Sequence, residues 1–404
     1  MHRVRLYPTS RQEAHLRFML DVTRQTYNAL LEQRRYAWTA RRIGVTSKQQ
    51  YAEITALRAE DARFAAVYRE CIDAVLHRLD LAYAAFFRRC KQGETPGHPR
   101  FRPASRWHQL EFPHGNRALK FLDERQTRLR VPGVGWMRVR KGRSVPEFGR
   151  AFIVEKNGEW YAVFECRREP EPMPKTGTCT GIDRGVHVLA ATSEGKLIRN
   201  GRPQERRAQI TGRLQRELEA LTKRDERKRC INRDDPKRIA AVRRLARSRE
   251  REATIRLDAL HKDALEIVRG ADVIGLEKLN LRAMTRSAKG TAEKPGRNVK
   301  AKSGLNRVLL DAGFGILARL IREKAAWAVR EVVEVEASYS SQTCGRCQHV
   351  CAKSRRRRRF VCVACGFSTH ADVNAALEIR RRAQLARRSA LSRARTPLTP
   401  QEAA

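Results

Sequence analysis

The chain reads as a multidomain α/β protein. A sheet-and-helix core is interrupted by a small metal-stapled segment and preceded by a β-barrel with a helical insertion. Three observations predict this. Apolar runs that end in a carboxylate alternate with helical stretches between residues 178 and 382. Two Cys-x-x-Cys pairs, Cys344 with Cys347 and Cys362 with Cys365, fall inside that alternation. Upstream, a helical stretch gives way near residue 103 to runs of period two.

Residues 1–8, MHRVRLYP, alternate Val4 and Leu6 with basic side chains and stop at Pro8, which predicts a short strand. Helical spacing follows from Arg11 to about Arg89 in two or three segments. Leu16, Met19, Leu20, Tyr27, Leu30 and Leu31 form one apolar face; Ile72, Val75, Leu76, Leu79, Leu81 and Phe86 form another. The aromatics Tyr27, Tyr36 and Trp38 are read as core in preference to base-stacking surfaces. GETPGHPRFRP (93–103) punctuates the chain. Beyond it LEFPHG, LKFLD, RLRVPGVGWMRVR and FGRAFIVEKNGEWYAVFEC read as strands, with a hairpin turn at Asn157-Gly158. They predict a small antiparallel barrel, joined by the strand of Val4 and Leu6. Arg138, Arg140, Lys141 and Arg143 fall on outward positions, where they either line phosphates or face solvent.

EPEPMPKTG (169–177) is a Pro-rich linker. Strands are predicted over Thr178–Asp183, Val186–Thr192 and Lys196–Ile198. Residues 203–268 form a charged helical hairpin, with Ile210, Leu214, Leu218 and Leu221 on one face and Leu257, Leu260, Ala264 and Val268 on another. It breaks near Asn232-Arg233-Asp234-Asp235-Pro236. Ala271–Glu277 is a buried strand, 289–304 a basic loop, 305–330 a helix and Val332–Ala337 a strand. A last helix opens at Asp372. The tail, RRSALSRARTPLTPQEAA, lacks a core-forming pattern and is expected to be disordered.

The formal net charge is +41 over 404 residues. Such a charge resists compaction unless a polyanion neutralises it, and surfaces built only for solubility mix both signs. Nucleic acid, held through its phosphates, is the natural partner. Of the 10 cysteines, Cys71, Cys90, Cys166, Cys179 and Cys230 are scattered, unlike a disulfide framework, and Cys351 lies between the pairs as a bystander. The N-terminus lacks the apolar core of a signal peptide, and no run is long enough to span a membrane. A soluble protein of a reducing compartment is expected.

Strand, strand, strand, helix, strand, helix, strand, helix is the order of an RNase H-like or RuvC-like core. Asp183 ends the strand Thr178–Asp183, with Gly181 and Gly185 beside it leaving room for a close approach. Glu277 ends the strand Val273–Glu277, and Asp372 stands at a helix start. A strand-end Asp alone is more often a surface or capping residue. Three carboxylates converging at one sheet edge repel one another, and Mg²⁺ or Mn²⁺ would resolve that repulsion. Two such ions could activate water and stabilise the leaving oxygen of a phosphodiester.

Each Cys-x-x-Cys knuckle offers two thiolates on one turn, so Cys344, Cys347, Cys362 and Cys365 predict a closed tetrahedral zinc site. The segment is too small to bury a core, and zinc must supply its folding energy. Five arginines, Arg355 to Arg359, offset the negative charge of four thiolates around a divalent ion. They form either a solvated loop or a phosphate clamp.

Tyr339-Ser340-Ser341-Gln342-Thr343-Cys344, the two knuckles and Asp372-Val373-Asn374-Ala375-Ala376 resemble the TnpB family of transposon-encoded RNA-guided DNA endonucleases, relatives of type V CRISPR effectors. Arg5-Leu6-Tyr7-Pro8 with Gln12 and Tyr27-Asn28 is similar to that family's N-terminal region. Pro99-Arg100-Phe101 resembles its link into the barrel, and Leu260-His261-Lys262 the helix before its catalytic Glu strand. The resemblance covers about residues 1–382. It implies a wedge-like barrel over 1–10 and 93–172, a helical recognition lobe over 11–92, a RuvC-like nuclease domain over 173–338 and 367–385, a zinc ribbon over 339–366 and a disordered tail over 386–404. Asp183, Glu277 and Asp372 become the Mg²⁺ ligands of the cleavage site, and the four cysteines the zinc ligands.

A guide RNA from the transposon end and a double-stranded DNA target beside a short adjacent motif are the implied partners. A monomer on one RNA, in the prokaryotic cytoplasm at the nucleoid, is the implied setting. Guide pairing reads the target, so the protein tracks shape and backbone. Arg100, Arg138, Arg140, Arg355, Arg356 and Arg357 are the candidate nucleic-acid contacts. One departure stands out: many members carry Asp-Arg before the last catalytic Asp, where this chain has His370-Ala371. His370 either tunes a metal-bound water or caps the turn. The competing readings are a guide-directed DNA-binding repressor that does not cut, a transposase or its accessory protein acting without guide RNA, and a structured-RNA-binding protein whose acidic trio is structural.

Overall fold

A computed structural model describes residues 1–140, 142, 144–167, 169–227, 235–291 and 293–395. Lys141, Arg143, Cys230 and the Asn232-Arg233-Asp234 break lie outside them. The chain divides into two compact units, Met1–Arg168 and Glu169–Ala404.

The first unit begins with β1 (His2–Tyr7) and four helices: α1 (Ser10–Arg41), α2 (Ser47–Glu60), α3 (Ala62–Ala65) and α4 (Arg69–Lys91). Thr9 and Gln12 close a reciprocal capping box at the start of α1, and Thr46 and Gln49 do the same for α2. Then come β2 (Gln109–Phe112), α5 (Gly115–Ala118), β3 (Lys120–Phe121), β4 (Arg128–Val131), β5 (Gly135–Val139), β6 (Phe148–Lys156) and β7 (Glu159–Cys166). The seven strands form one antiparallel sheet in the order β2-β6-β7-β1-β5-β4-β3. β1 lies in its middle, and Asn157 and Gly158, both at positive φ, turn β6 into β7. The expected barrel is a half-barrel: β2 and β3 end the sheet, and no ladder joins them among the described residues.

Helices and sheet share one core. The Tyr27 ring lies 5.4 Å from that of Trp107, whose indole N–H donates to the Thr23 hydroxyl at 3.0 Å. Tyr27 is buried as expected, but Tyr36 and Trp38 are 67% and 55% exposed and belong to no core. They stand one to two turns beyond Leu31, the last buried residue of α1. Leu81 is also exposed; two residues after Leu79, it points to the opposite side of α4.

The second unit opens with β8 (Cys179–Asp183), β9 (Val188–Thr192) and β10 (Leu197–Arg199). Three helices follow, α6 (Pro203–Arg206), α7 (Ala208–Arg227) and α8 (Pro236–Gly270), then β11 (Val273–Lys278), α9 (Leu281–Met284), α10 (Val299–Ala312), α11 (Phe314–Trp327) and β12 (Glu331–Glu336). The sheet order is β10-β9-β8-β11-β12, antiparallel through β8 and parallel beyond it. One face packs on α8 and α11 through Leu260, Val268, Leu317 and Ile321, all nearly inaccessible. Each such side chain contributes about 1.5–3 kcal/mol of burial. Ile210 and Leu257, expected on buried faces, are exposed. The helix predicted over 305–330 is two helices, because Gly313 adopts φ 73° between them. The first of the two starts at Val299, inside the expected loop.

The last elements are β13 (Arg355–Arg356), β14 (Arg359–Val361), β15 (Ser368–His370) and α12 (Ala371–Arg395). The three strands form their own small sheet, and Ala371 follows β15 directly into α12. α12 covers the other face of the large sheet, with Ile379 and Ala383 buried beside Val335 of β12. It also runs through residues 386–395, expected to be disordered; residues 396–404 lie outside the described set.

Candidate active site and metal centre

Asp183 and Glu277 are brought together by strand register. β8 and β11 run parallel with Ile182 opposite Leu276, so the next residue on each strand is a carboxylate at the same sheet edge. Asp372 reaches them from the first turn of α12, a position that favours a carboxylate electrostatically. Its Oδ2 lies 3.9 Å from where a side chain on Gly185 would begin. Two glycines let the helix come so close. Gly181 and Gly275 are register partners on β8 and β11. A methyl on Gly181 would stand 2.1 Å from the Ala376 carbonyl, and one on Gly275 2.8 Å from the Ala383 side chain.

The convergence is electrostatically unfavourable as it stands. Burial, then the charges of Glu277 and Asp372, push the Asp183 carboxyl from its ordinary 3.8 up to about 8. Burial raises Glu277 as well, while Arg184 opposes the shift. Arg184 is itself buried. Its backbone N–H donates to Glu277 Oε1 at 3.2 Å, and its guanidinium bonds the Glu277 carbonyl and donates to that of Phe314 at 3.3 Å. Sequence reasoning passed over this residue, although it directly follows Asp183.

The four cysteines of the two knuckles form a single cluster, their sulfurs all within 4.8 Å of one another. Cys344 and Cys365 sulfurs are 3.8 Å apart, and those of Cys347 and Cys362 3.5 Å. A tetrahedron with metal–sulfur bonds of about 2.3 Å has edges of about 3.8 Å, so the donor set fits zinc. Burial opposes ionisation of Cys362, but backbone N–H groups of Cys365 and Ala364 bring its thiol down to about 6. The carboxylate trio is looser, since its oxygens do not all fall within the same 4.8 Å.

Two contacts tie the cysteine segment to the acidic edge. The fully buried Asn374 accepts from the Gly345 N–H at 2.9 Å and donates to the Thr343 carbonyl at 2.7 Å, clamping the first knuckle onto α12. Arg355 donates to Asp372 Oδ1 at 3.2 Å, so one of the five clustered arginines sits on a site carboxylate. Arg356 and Arg357 stay exposed beside it. Arg100, Arg138 and Arg140 are exposed in the first unit, with Arg138 stacked 4.9 Å from the Tyr7 ring. His370 caps the turn: its Nδ1 accepts from the Asp372 N–H at 3.3 Å. Cys351 is not among the clustered cysteines.

Known proteins match this chain along most of its length. A family model described as "Probable transposase" matches residues 161–288, and one described as "Cas12f1-like, TNB domain" matches 314–379. A third, described as "Helix-turn-helix domain", matches residues 1–42, which here are β1 and one unbroken helix. A protein of Escherichia coli (strain K12) named "Putative RNA-guided DNA endonuclease InsQ" is 32% identical over 307 residues, 75% of this chain and 72% of that protein. A "Putative RNA-guided DNA endonuclease" of Streptomyces pristinaespiralis is 26% identical, over 93% of this chain and 87% of its own length. Among solved structures, one titled "Cryo-EM structure of the Cas12f1-sgRNA-target DNA complex" aligns over 94% of this chain and 98% of that one, at 14% identity and a TM-score of 0.30. An overlap that loose defines no shared fold. No helix among the described residues is long and apolar enough to cross a membrane.

Proposed function

This chain belongs to the TnpB family, and on that premise we propose that it is an RNA-guided DNA endonuclease which cuts a double-stranded target at Asp183, Glu277 and Asp372. The observation that carries the reading is the approach of Asp183, Glu277 and Asp372 to one sheet edge, through the register of β8 with β11 and the close packing of α12 on Gly181 and Gly275. Three carboxylates held that close repel one another, and a divalent cation bound among them would relieve the repulsion. The oxygen donors suit Mg²⁺ or Mn²⁺, which would supply an activated water and stabilise the leaving oxygen of the phosphodiester.

The side chains divide the remaining work. Arg184 holds Glu277 in place from behind and offsets its charge. Arg355, placed on Asp372, is the nearby cation that can turn to a substrate phosphate once that carboxylate is otherwise engaged. Zinc on Cys344, Cys347, Cys362 and Cys365 would staple the segment that presents Arg355, and Asn374 transmits that placement to the helix of Asp372. The second unit is read as a RuvC-like domain carrying a zinc ribbon, and the first as the wedge and recognition part. The net charge of +41 then serves the backbones of guide and target.

The test copurifies the protein with RNA from its own transposon end. It then offers Mg²⁺ and a plasmid library with a guide-matched target beside randomised flanks. Cleavage by the wild type, dependent on the guide and enriched for one flank, and lost in Asp183→Ala, is the expected outcome. Flank-specific binding without cutting would establish the repressor reading. Neither binding nor cutting, with folded protein and intact RNA, would overturn the guided model.

A further inference from the structure

Between β12 and the first cysteine knuckle stands Tyr339, at φ 60° and 66% exposed. The Ser340 N–H donates to the Ala337 carbonyl at 3.2 Å and closes a turn with Tyr339 at its third position. Ser338 before it is not at positive φ, so the turn follows the type II pattern, which takes Gly or Asn at that place. A residue with a β-carbon is strained there, and glycine would fold more easily. The ring gives the fold little in return. Among the described residues it joins no buried cluster, stacks on no ring or guanidinium, and its hydroxyl has no hydrogen-bond partner.

The backbone that carries this ring is held on both sides. The Tyr339 carbonyl accepts from the N–H groups of Gln342 and Thr343, at 2.9 and 3.0 Å, and from the Thr343 hydroxyl at 2.9 Å. Upstream, Arg382 of α12 donates to the carbonyls of Glu336 and Ser338 at 2.7 and 2.8 Å, while its Nε donates to the fully buried Glu378 at 2.8 Å. Downstream, the Thr343 carbonyl is the one that Asn374 grips. The helix that carries Asp372 therefore also fixes the strained turn, from both ends.

Strand register sets the distance to the acidic edge. Glu277 of β11 pairs with Val335 of β12, the strands run parallel, and Tyr339 lies four residues further on, off the same edge. Four residues reach at most roughly 14 Å and neighbouring strands stand about 4.8 Å apart, so Tyr339 lies within about 19 Å of Glu277 from Cα to Cα. A rigid, exposed ring at a fixed distance from a cleavage centre offers a face to a base, and stacking on it reads no sequence.

We infer that Tyr339 stacks on one unpaired base of the DNA strand being cut, a few nucleotides from the scissile phosphate, and so sets which phosphodiester reaches Asp183, Glu277 and Asp372. The inference rests on the reading of that edge as a DNA-cutting site. The cut strand is assigned because it is the one whose phosphate must enter there.

The RNA-loaded full chain is given its guide-matched, end-labelled target and Mg²⁺, and cut positions are mapped to the nucleotide for wild type, Tyr339→Phe and Tyr339→Gly. Tyr339→Phe should keep the wild-type pattern. Tyr339→Gly should spread cuts over neighbouring phosphates and slow cleavage at the principal one by roughly ten- to hundred-fold, the effect of losing one base stack. Its melting temperature should be equal or higher, because glycine relieves the positive φ. In an Asp183→Ala background, 2-aminopurine stepped along the target strand should be quenched at one position, and Tyr339→Gly should abolish that quenching. Wild-type cleavage with cut sites and fluorescence unchanged in Tyr339→Gly would overturn the inference alone. A lower melting temperature that accounts for all of the lost cleavage would make Tyr339 a turn residue only. Quenching by Tyr339 of 2-aminopurine in the guide, with none in the target, would overturn the assignment to DNA. No cleavage by the wild type would sink the reading of the edge and this inference with it.

Discussion

Gly181 of β8 and Gly275 of β11 are register partners, and α12 rests on both. The absence of two side chains brings the start of that helix, and with it Asp372, to the sheet edge where Asp183 ends β8 and Glu277 stands one residue before the end of β11.

Gly181→Ala should therefore lower both stability and cleavage. Its added methyl meets backbone, at 2.1 Å from the Ala376 carbonyl and 2.4 Å from the Arg380 nitrogen, so no rotamer change relieves it. A cost of about 1–3 kcal/mol is expected, visible as a lower melting temperature. Cleavage should fall further than the unfolded fraction accounts for, because Asp372 moves with the helix. Gly149→Ala, with open space around it, is the control.

Asp183→Asn should stabilise the metal-free protein while abolishing cleavage. The folded carboxyl titrates at about 8 and the unfolded one near 3.8. Between those values the folded state holds a proton that the unfolded state has released, so stability from this group falls as pH rises from about 4 to 8. The variant's advantage in melting temperature should be largest at pH 8 and above and vanish below pH 4. Added Mg²⁺ should raise the wild type's melting temperature and leave the variant's nearly unchanged.

Removing Arg355 should separate metal binding from chemistry. Arg355→Ala frees Asp372 of a competing cation, so the Mg²⁺ concentration for half-maximal activity should fall. The single-turnover rate at saturating Mg²⁺ should drop by roughly 10²–10³-fold, the usual effect of losing one charge-stabilising group. Equal rates in wild type and variant would reduce Arg355 to a bystander of the acidic edge.

The cysteine segment should depend on zinc and on Asn374 separately. One zinc per chain is expected, and Cys362→Ser should open residues 339–370 to proteolysis. Asn374→Ala leaves the thiols intact but strands the Gly345 N–H and the Thr343 carbonyl, costing about 1–3 kcal/mol. It should keep its zinc and still lose cleavage.

Much of this was legible in the chain because it is written in local spacing. Two knuckles, three strand-end or helix-start carboxylates and an Asn-Gly turn each depend on neighbours a few residues away: the four sulfurs cluster, Asp183 ends β8, Asp372 lies in the first turn of α12 and Asn157-Gly158 turns β6 into β7, while β11 runs one residue past Glu277 to Lys278. The errors arose where burial depends on what an element packs against. Tyr36 and Trp38 continue the apolar content of α1, yet they lie beyond Leu31, the last buried residue of that helix, and stay in solvent. The final helix continues into a polar tail because extending a helix already nucleated and packed at its start adds one hydrogen bond per residue fixed, with no second nucleation cost.

By itself the sequence determined which donors exist: thiolates paired at zinc spacing, carboxylates at element ends and a large excess of cations. Those are properties of residue type and short separation. Only the tertiary structure decided which of them meet. Arg355 reaches Asp372, Arg184 turns inward to Glu277, and Asn374 grips the first knuckle, across 17, 93 and 29 residues of chain. Long-range partners are fixed by register and close packing, and no local pattern encodes those.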